Sequence, residues 1–156
     1  MSTAEGRARG PESASATTGG RVLLFGVGGR VYGCEIGAVR EIIPFRRTTR
    51  LPGAPTYVCG LINLRGSIVT VLDLGLRLGA TPVDRTAGSI ILVELASKCV
   101  GVGVDEVRDV QPLPADQVEP ASGDQARAGV VRGIGHLDDE IVILLDMQAI
   151  VRQVLL

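Results

Sequence analysis

Few residues in this chain could do covalent or metal chemistry, and their spacing decides whether they do. His136 is the only histidine. A mechanism built on it would need a serine, cysteine or carboxylate spaced to share its proton, or further ligands for a metal, and no such pattern surrounds it. Cys34, Cys59 and Cys99 are odd in number, far apart and free of any Cys-x-x-Cys pair, which argues against a disulfide framework and a zinc site; they read as buried, reduced thiols. Gly26-Val27-Gly28-Gly29-Arg30 lacks the spacing of a nucleotide loop and reads as a hairpin turn. Arg46, Arg47 and Arg50, just before Leu51-Pro52, read as a solvated loop. No catalytic residue, metal or cofactor is expected. What remains is recognition: Arg65, at the tip of a turn between Leu64 and Ile68, reads by itself as a solvated turn arginine or as a guanidinium able to make paired hydrogen bonds to a partner.

The bulk properties agree. The chain has 156 residues, 46% of them hydrophobic, a net charge of -1 and a pI near 5.8, enough for a packed core and no overall field to attract nucleic acid or anionic lipid. A small barrel that binds nucleic acid through the Arg46–Arg50 loop is the rival reading. It would need stacking platforms, and the chain has two Tyr, two Phe and no Trp. Residues 1–20 contain no large apolar side chain after Met1 and are expected to form a disordered tail. With no apolar h-region and no run of ~18–20 apolar residues, a cytoplasmic location is expected.

From Arg21 onward, short Val-, Ile- and Leu-rich runs are broken by Gly, Pro or Asp, the texture of an all-β chain. Strands are expected at Val22–Val27, Arg30–Ile36, Val39–Ile43, Tyr57–Leu64, Ser67–Leu72, Ser89–Leu95, Lys98–Val104, Val107–Val110, Val130–Leu137 and Glu140–Leu145. Gly28-Gly29 and Arg65-Gly66 place glycine where a hairpin needs positive φ. Asp73 is placed to cap a short helix reaching Leu78. After Asp146, Met147, Ile150, Val151, Val154 and Leu155 recur at helical spacing, so a C-terminal amphipathic helix is expected with Asp146 as its N-cap.

These elements repeat. A shift of 68 lays Val39-Arg40-Glu41-Ile42-Ile43-Pro44 over Val107-Arg108-Asp109-Val110-Gln111-Pro112, and Leu24 and Gly33 over Leu92 and Gly101. A shift of 73 lays Gly60 through Leu74 over Gly133 through Met147. The five extra residues of the second copy fall, on this reading, in the Glu119–Ala128 loop. Two copies of 55–60 residues each are expected to pack together, leaving a groove between them. The copies diverge at one turn, Arg65-Gly66-Ser67 in the first against Asp138-Asp139-Glu140 in the second.

The stretch Val58-Cys59-Gly60-Leu61-Ile62-Asn63-Leu64-Arg65-Gly66-Ser67-Ile68-Val69-Thr70-Val71-Leu72-Asp73-Leu74 resembles the signature of the chemotaxis coupling protein CheW family, and Val39-Arg40-Glu41-Ile42 resembles its second motif. Thr70 departs from the proline common there, at what is read as a strand edge. The resemblance runs from about Arg21 to the C-terminus, so residues 21–156 are expected to form one CheW-like domain. It implies two intertwined SH3-like five-stranded barrels and a non-enzymatic adaptor between chemoreceptors and the histidine kinase CheA. It also implies that Val39, Glu41, Gly60, Arg65 and Val110 meet the receptor, and that Ile42 and Ile43 meet the kinase.

Overall fold

A computed structural model of the chain describes residues 20–123 and 129–155. The tail expected over residues 1–20 therefore lies, Gly20 apart, outside the described residues. The eleven described strands are β1 (Arg21–Val27), β2 (Arg30–Glu35), β3 (Val39–Pro44), β4 (Val58–Leu64), β5 (Ser67–Asp73), β6 (Ser89–Leu95), β7 (Lys98–Val104), β8 (Glu106–Pro112), β9 (Val118–Pro120), β10 (Val131–Leu137) and β11 (Glu140–Leu145). Two helices, α1 (Leu74–Arg77) and α2 (Met147–Leu155), follow β5 and β11. Each begins as the sequence predicts: Asp73 accepts a hydrogen bond from Leu76 N at 3.0 Å and Asp146 one from Ala149 N at 3.0 Å.

The strands form two sheets, ordered β3-β6-β7-β5-β4 and β8-β1-β2-β11-β10-β9. Under the duplication β1 corresponds to β6, β2 to β7, β3 to β8, β4 to β10 and β5 to β11, so the two orders are the same order, with β9 added to one. Neither sheet is built from one copy. The β1–β2 hairpin of the first copy completes the second copy's sheet, and β6–β7 completes the first's. The parallel joints agree in register: Thr70 and Val71 pair with Val100 and Gly101, while their counterparts Ile143 and Leu144 pair with Tyr32 and Gly33. In space the units are thus residues 39–104 and the two flanking segments together, which replaces the expectation of two sequence copies packed side by side. Thr70 sits inside its sheet, between β4 and β7, rather than on an edge.

The exchange explains why β1 reads as an unbroken apolar run. Successive side chains alternate between the faces of a strand. Val22 and Leu24 enter a core with Leu113, Val142 and Leu144, whereas Leu23, Phe25 and Val27 enter a second core with Ile90, Val102 and Ile150. Both faces are dry, and each such side chain contributes about 1.5–3 kcal/mol by burial. Helix α2 buries Met147, Ile150 and Val151 in the larger core, which draws on both sheets.

Strand β9 was not foreseen. It pairs Glu119 with Ile134 of β10, just as an isolated bridge pairs Thr49 with Leu61 in the other unit. Because Leu61 and Ile134 are equivalent under the shift of 73, Thr49 and Glu119 are equivalent too. This places two of the five extra residues before Glu119 and three after it; residues 124–128 of that loop lie outside the described ones. The same close approach explains a shared glycine. A Cβ on Gly60 would stand 2.3 Å from the Thr49 carbonyl oxygen, and one on Gly133 2.5 Å from that of Glu119.

Candidate functional site

Strand β3 is an edge of the five-stranded sheet, and the β4–β5 turn reaches back to it. In that turn Arg65 (φ 51°) and Gly66 (φ 89°) both adopt the left-handed conformation of a tight hairpin. Asn63 stabilises it by accepting a hydrogen bond from Gly66 N at 3.0 Å, and Arg46 donates to the Asn63 carbonyl at 3.3 Å. So held, Arg65 forms a two-pronged ion pair with Glu41 of β3, with Nη2 2.5 Å from Oε1 and Nη1 3.3 Å from Oε2. The hydrogen bond from Arg65 holds the Glu41 carboxyl below its ordinary range. This clasp rims a cleft of about 260 Å³ lined by Arg40, Leu64, Val69, Leu92 and Cys99 among others.

The other unit also ties its edge strand to its turn, but from positions that are not equivalent: Arg108 corresponds to Arg40 and Glu140 to Ser67, whereas Glu41 and Arg65 correspond to Asp109 and Asp138. Arg108 on edge strand β8 donates to Glu140, beside the β10–β11 turn, at 3.0 Å. The two turns are opposite in charge, cationic at Arg65 in one unit and anionic at Asp138, Asp139 and Glu140 in the other. The imbalance extends further. Residues 39–104 carry eight Lys and Arg against four Asp and Glu, whereas residues 21–38 and 105–155 together carry six against eleven. A net charge of -1 hides two units of opposite sign, so a partner meets the chain in a preferred orientation.

Of the residues expected to meet a receptor, the structure joins only Glu41 and Arg65 directly. Val39 is half-buried two residues from Glu41 on β3. Val110 lies on β8 opposite Leu23 of β1, in the other sheet, and both valines pack against the larger core. Gly60 is buried beneath Thr49 with φ +143°, so its place is in shaping β4 and its side offers no contact surface. The two isoleucines divide: Ile42 is 39% exposed and Ile43 7%. A bulge between Val39 and Glu41 resets the alternation of β3, turning Ile42 outward and Ile43 into the core.

Sequence reasoning missed two residues. Ile68 and Ile141 are 65% and 61% exposed, and they are equivalent under the duplication. They stand opposite Asn63 and His136 on β5 and β11, beside the two oppositely charged turns. The available signal was the recurrence of an isoleucine, in both copies, opposite a polar residue.

The remaining chemistry-bearing groups are packed or paired. His136 Nε2 lies 2.8 Å from Glu119 Oε2, tying β10 to β9. Burial pushes the Cys34 thiol up to about 12 and the Cys59 thiol up to about 11, so both are protonated and unreactive at neutral pH. Cys99, expected to be buried, is half-buried at the cleft. Phe25, Tyr32 and Phe45 are buried and Tyr57 lies under Arg77 at 5.8 Å, which leaves no aromatic face free to stack on a base. No helix among the described residues is long and apolar enough to cross a membrane.

With this geometry in place, comparison with known proteins is direct. The family model described as CheW-like domain matches residues 21–155. The chain is 35% identical over 141 residues to a protein of Rhizobium etli named probable chemotaxis protein CheW, covering 87% of this chain and 90% of that one. It is 32% identical over 138 residues to the chemotaxis protein CheW of Klebsiella aerogenes, covering 86% and 83%. Its fold matches the crystal structure of the scaffolding protein TtCheW from Thermoanaerobacter tengcongensis with a TM-score of 0.72 at 30% identity, over 83% of this chain and 90% of that one. The exchanged hairpins, the Asn-Leu-Arg-Gly turn and these likenesses converge: the chain belongs to the CheW-like domain family.

Proposed function

We propose that this chain is a non-enzymatic adaptor that couples chemoreceptors to the histidine kinase CheA in a chemotaxis-type signalling system, acting in the cytoplasm at receptor arrays. The observation that carries the reading is the Arg65–Glu41 clasp, a two-pronged ion pair on an exposed sheet edge. The similarity to CheW proteins over most of the chain supports the same role. A receptor's helical hairpin docks by its ridge against the face formed by Val39, Glu41 and Arg65, with Val110 contributing from the other unit and Gly60 holding β4 in shape. The kinase's homologous regulatory domain pairs with the β3 edge through Ile42. Ile43 serves that contact from beneath, by anchoring the strand in the core. The apolar edge supplies buried area, and the charges set orientation and register.

Arg65→Glu tests this. The residue is exposed, so the circular dichroism and melting behaviour should stay close to the parent's, while capture of a receptor hairpin fragment falls by more than about tenfold. Unchanged capture of both receptor and kinase fragments would sink the proposal.

A further inference from the structure

A second concavity, on the loop that runs between the two residues of the clasp, has the makings of a ligand site. The β3–β4 loop closes over a cavity of about 420 Å³ lined by Thr48, Arg50, Gly53, Thr56, Cys59 and Arg85, with apolar residues of the same loop completing it. This is within the range of small-ligand pockets. Its lining contains two guanidinium groups and no carboxylate.

The two arginines are differently prepared. Arg85 Nη2 is held at 3.1 Å by Asp73, whose carboxylate is fully buried and also accepts from Leu76 N and Val83 N. One edge of the guanidinium is thereby fixed, while the side chain remains 42% exposed toward solvent. Arg50 has no ion pair or hydrogen bond among the described residues. The wall between them is set by the Thr49–Leu61 bridge and by turns in which Ala54 N donates to the Leu51 carbonyl and Val58 N to that of Pro55.

The duplication adds an independent argument. With Thr49 equivalent to Glu119, Arg50 is matched by Pro120, so the second unit lacks this arginine. A feature built in only one of two otherwise matching units is not required by the fold they share.

We propose that this cavity is an oxyanion site, binding a carboxylate or phosphoryl group between Arg50 and Arg85. Arg85, pre-set by Asp73, supplies the fixed arm of a forked contact, and Arg50 closes on the ligand from the loop. The oxyanion comes either from a free small molecule or from an acidic side chain of a peptide, and the chemistry at the arginines is the same.

The full chain, labelled with nitrogen-15, is titrated separately with succinate, inorganic phosphate and an end-capped peptide bearing one glutamate, against sodium chloride at matched ionic strength. Saturable shifts of the Gly53, Ala54 and Thr56 amides with any one of these, absent with chloride, support the site and identify the source of the oxyanion. Arg50→Gln removes one arm without touching Asp73, and should weaken that binding by about tenfold, the loss of one charge-assisted hydrogen bond. Shifts that never saturate, that chloride reproduces, or that persist unchanged in Arg50→Gln would overturn the proposal.

Discussion

The β6–β7 hairpin turns on Ala96 and Ser97, and both have positive φ, 53° and 69°. Their counterparts in the first copy, 68 residues earlier, are Gly28 and Gly29, with φ 60° and 80°. The backbone is the same; only one copy has the residues suited to it. An L-residue in the left-handed region costs about 1–2 kcal/mol. Replacing Ala96-Ser97 by Asn-Gly, the pair best suited to such a turn, removes most of that strain at both positions. The added freedom of one glycine in the unfolded chain takes back about 0.5–1 kcal/mol, so the double variant should gain about 1–2 kcal/mol. Both residues are exposed, so no packing is lost. In urea the midpoint should rise with an unchanged slope, and the melting temperature should rise by about 3–8 °C. The reciprocal change, Gly28-Gly29 to Ala-Ser, meets no atom closer than 3.6 Å and should lose a similar amount through φ alone. An Asn-Gly variant no more stable than the parent, together with a neutral reciprocal change, would refute the argument that the two hairpins are one structure under two sequences.

Three further outcomes follow from the packing and charges. Gly60→Ala puts a Cβ 2.3 Å from a backbone oxygen at φ +143° and should cost about 2–4 kcal/mol in urea unfolding. Asp73→Ala leaves the buried Val83 N–H without its acceptor and uncaps α1, for a loss of about 3 kcal/mol, with Asp73→Asn losing less because it keeps an acceptor. The Glu41 carboxyl should titrate below its ordinary value of 4.5 by carboxyl-carbon NMR and return toward it in Arg65→Gln. Because the folded-state pKa is lowered, the clasp contributes above the unfolded pKa and is lost as pH falls through the folded one; a midpoint unmoved by Arg65→Gln would show that the pair does not persist in solution.

The strands and both helix caps were legible because they rest on local rules: alternation, turn glycines and an aspartate before an apolar helix. The duplication was legible as well, but not its consequence. Which hairpin completes which sheet depends on the parallel pairing of β5 with β7 and of β2 with β11, between segments far apart in sequence and with no local signature. β9 escaped notice because a three-residue strand shows no period. Ile42 and Ile43 could not be told apart because a bulge two residues away sets which of them faces out. The divergence of the two turns pointed to Arg65. That Glu41 answers it, and that Arg108 and Glu140 make a second edge-to-turn pair from non-equivalent positions, needed three dimensions.

An adaptor must hold both partners at once. The decisive measurement mixes the full chain with a receptor hairpin fragment and the CheA regulatory domain and determines the mass of the complex by light scattering after size exclusion. A ternary complex containing all three, reduced to the binary kinase complex by Arg65→Glu, is the predicted result. Two binary complexes that displace one another, with no ternary species at any ratio, would contradict the account.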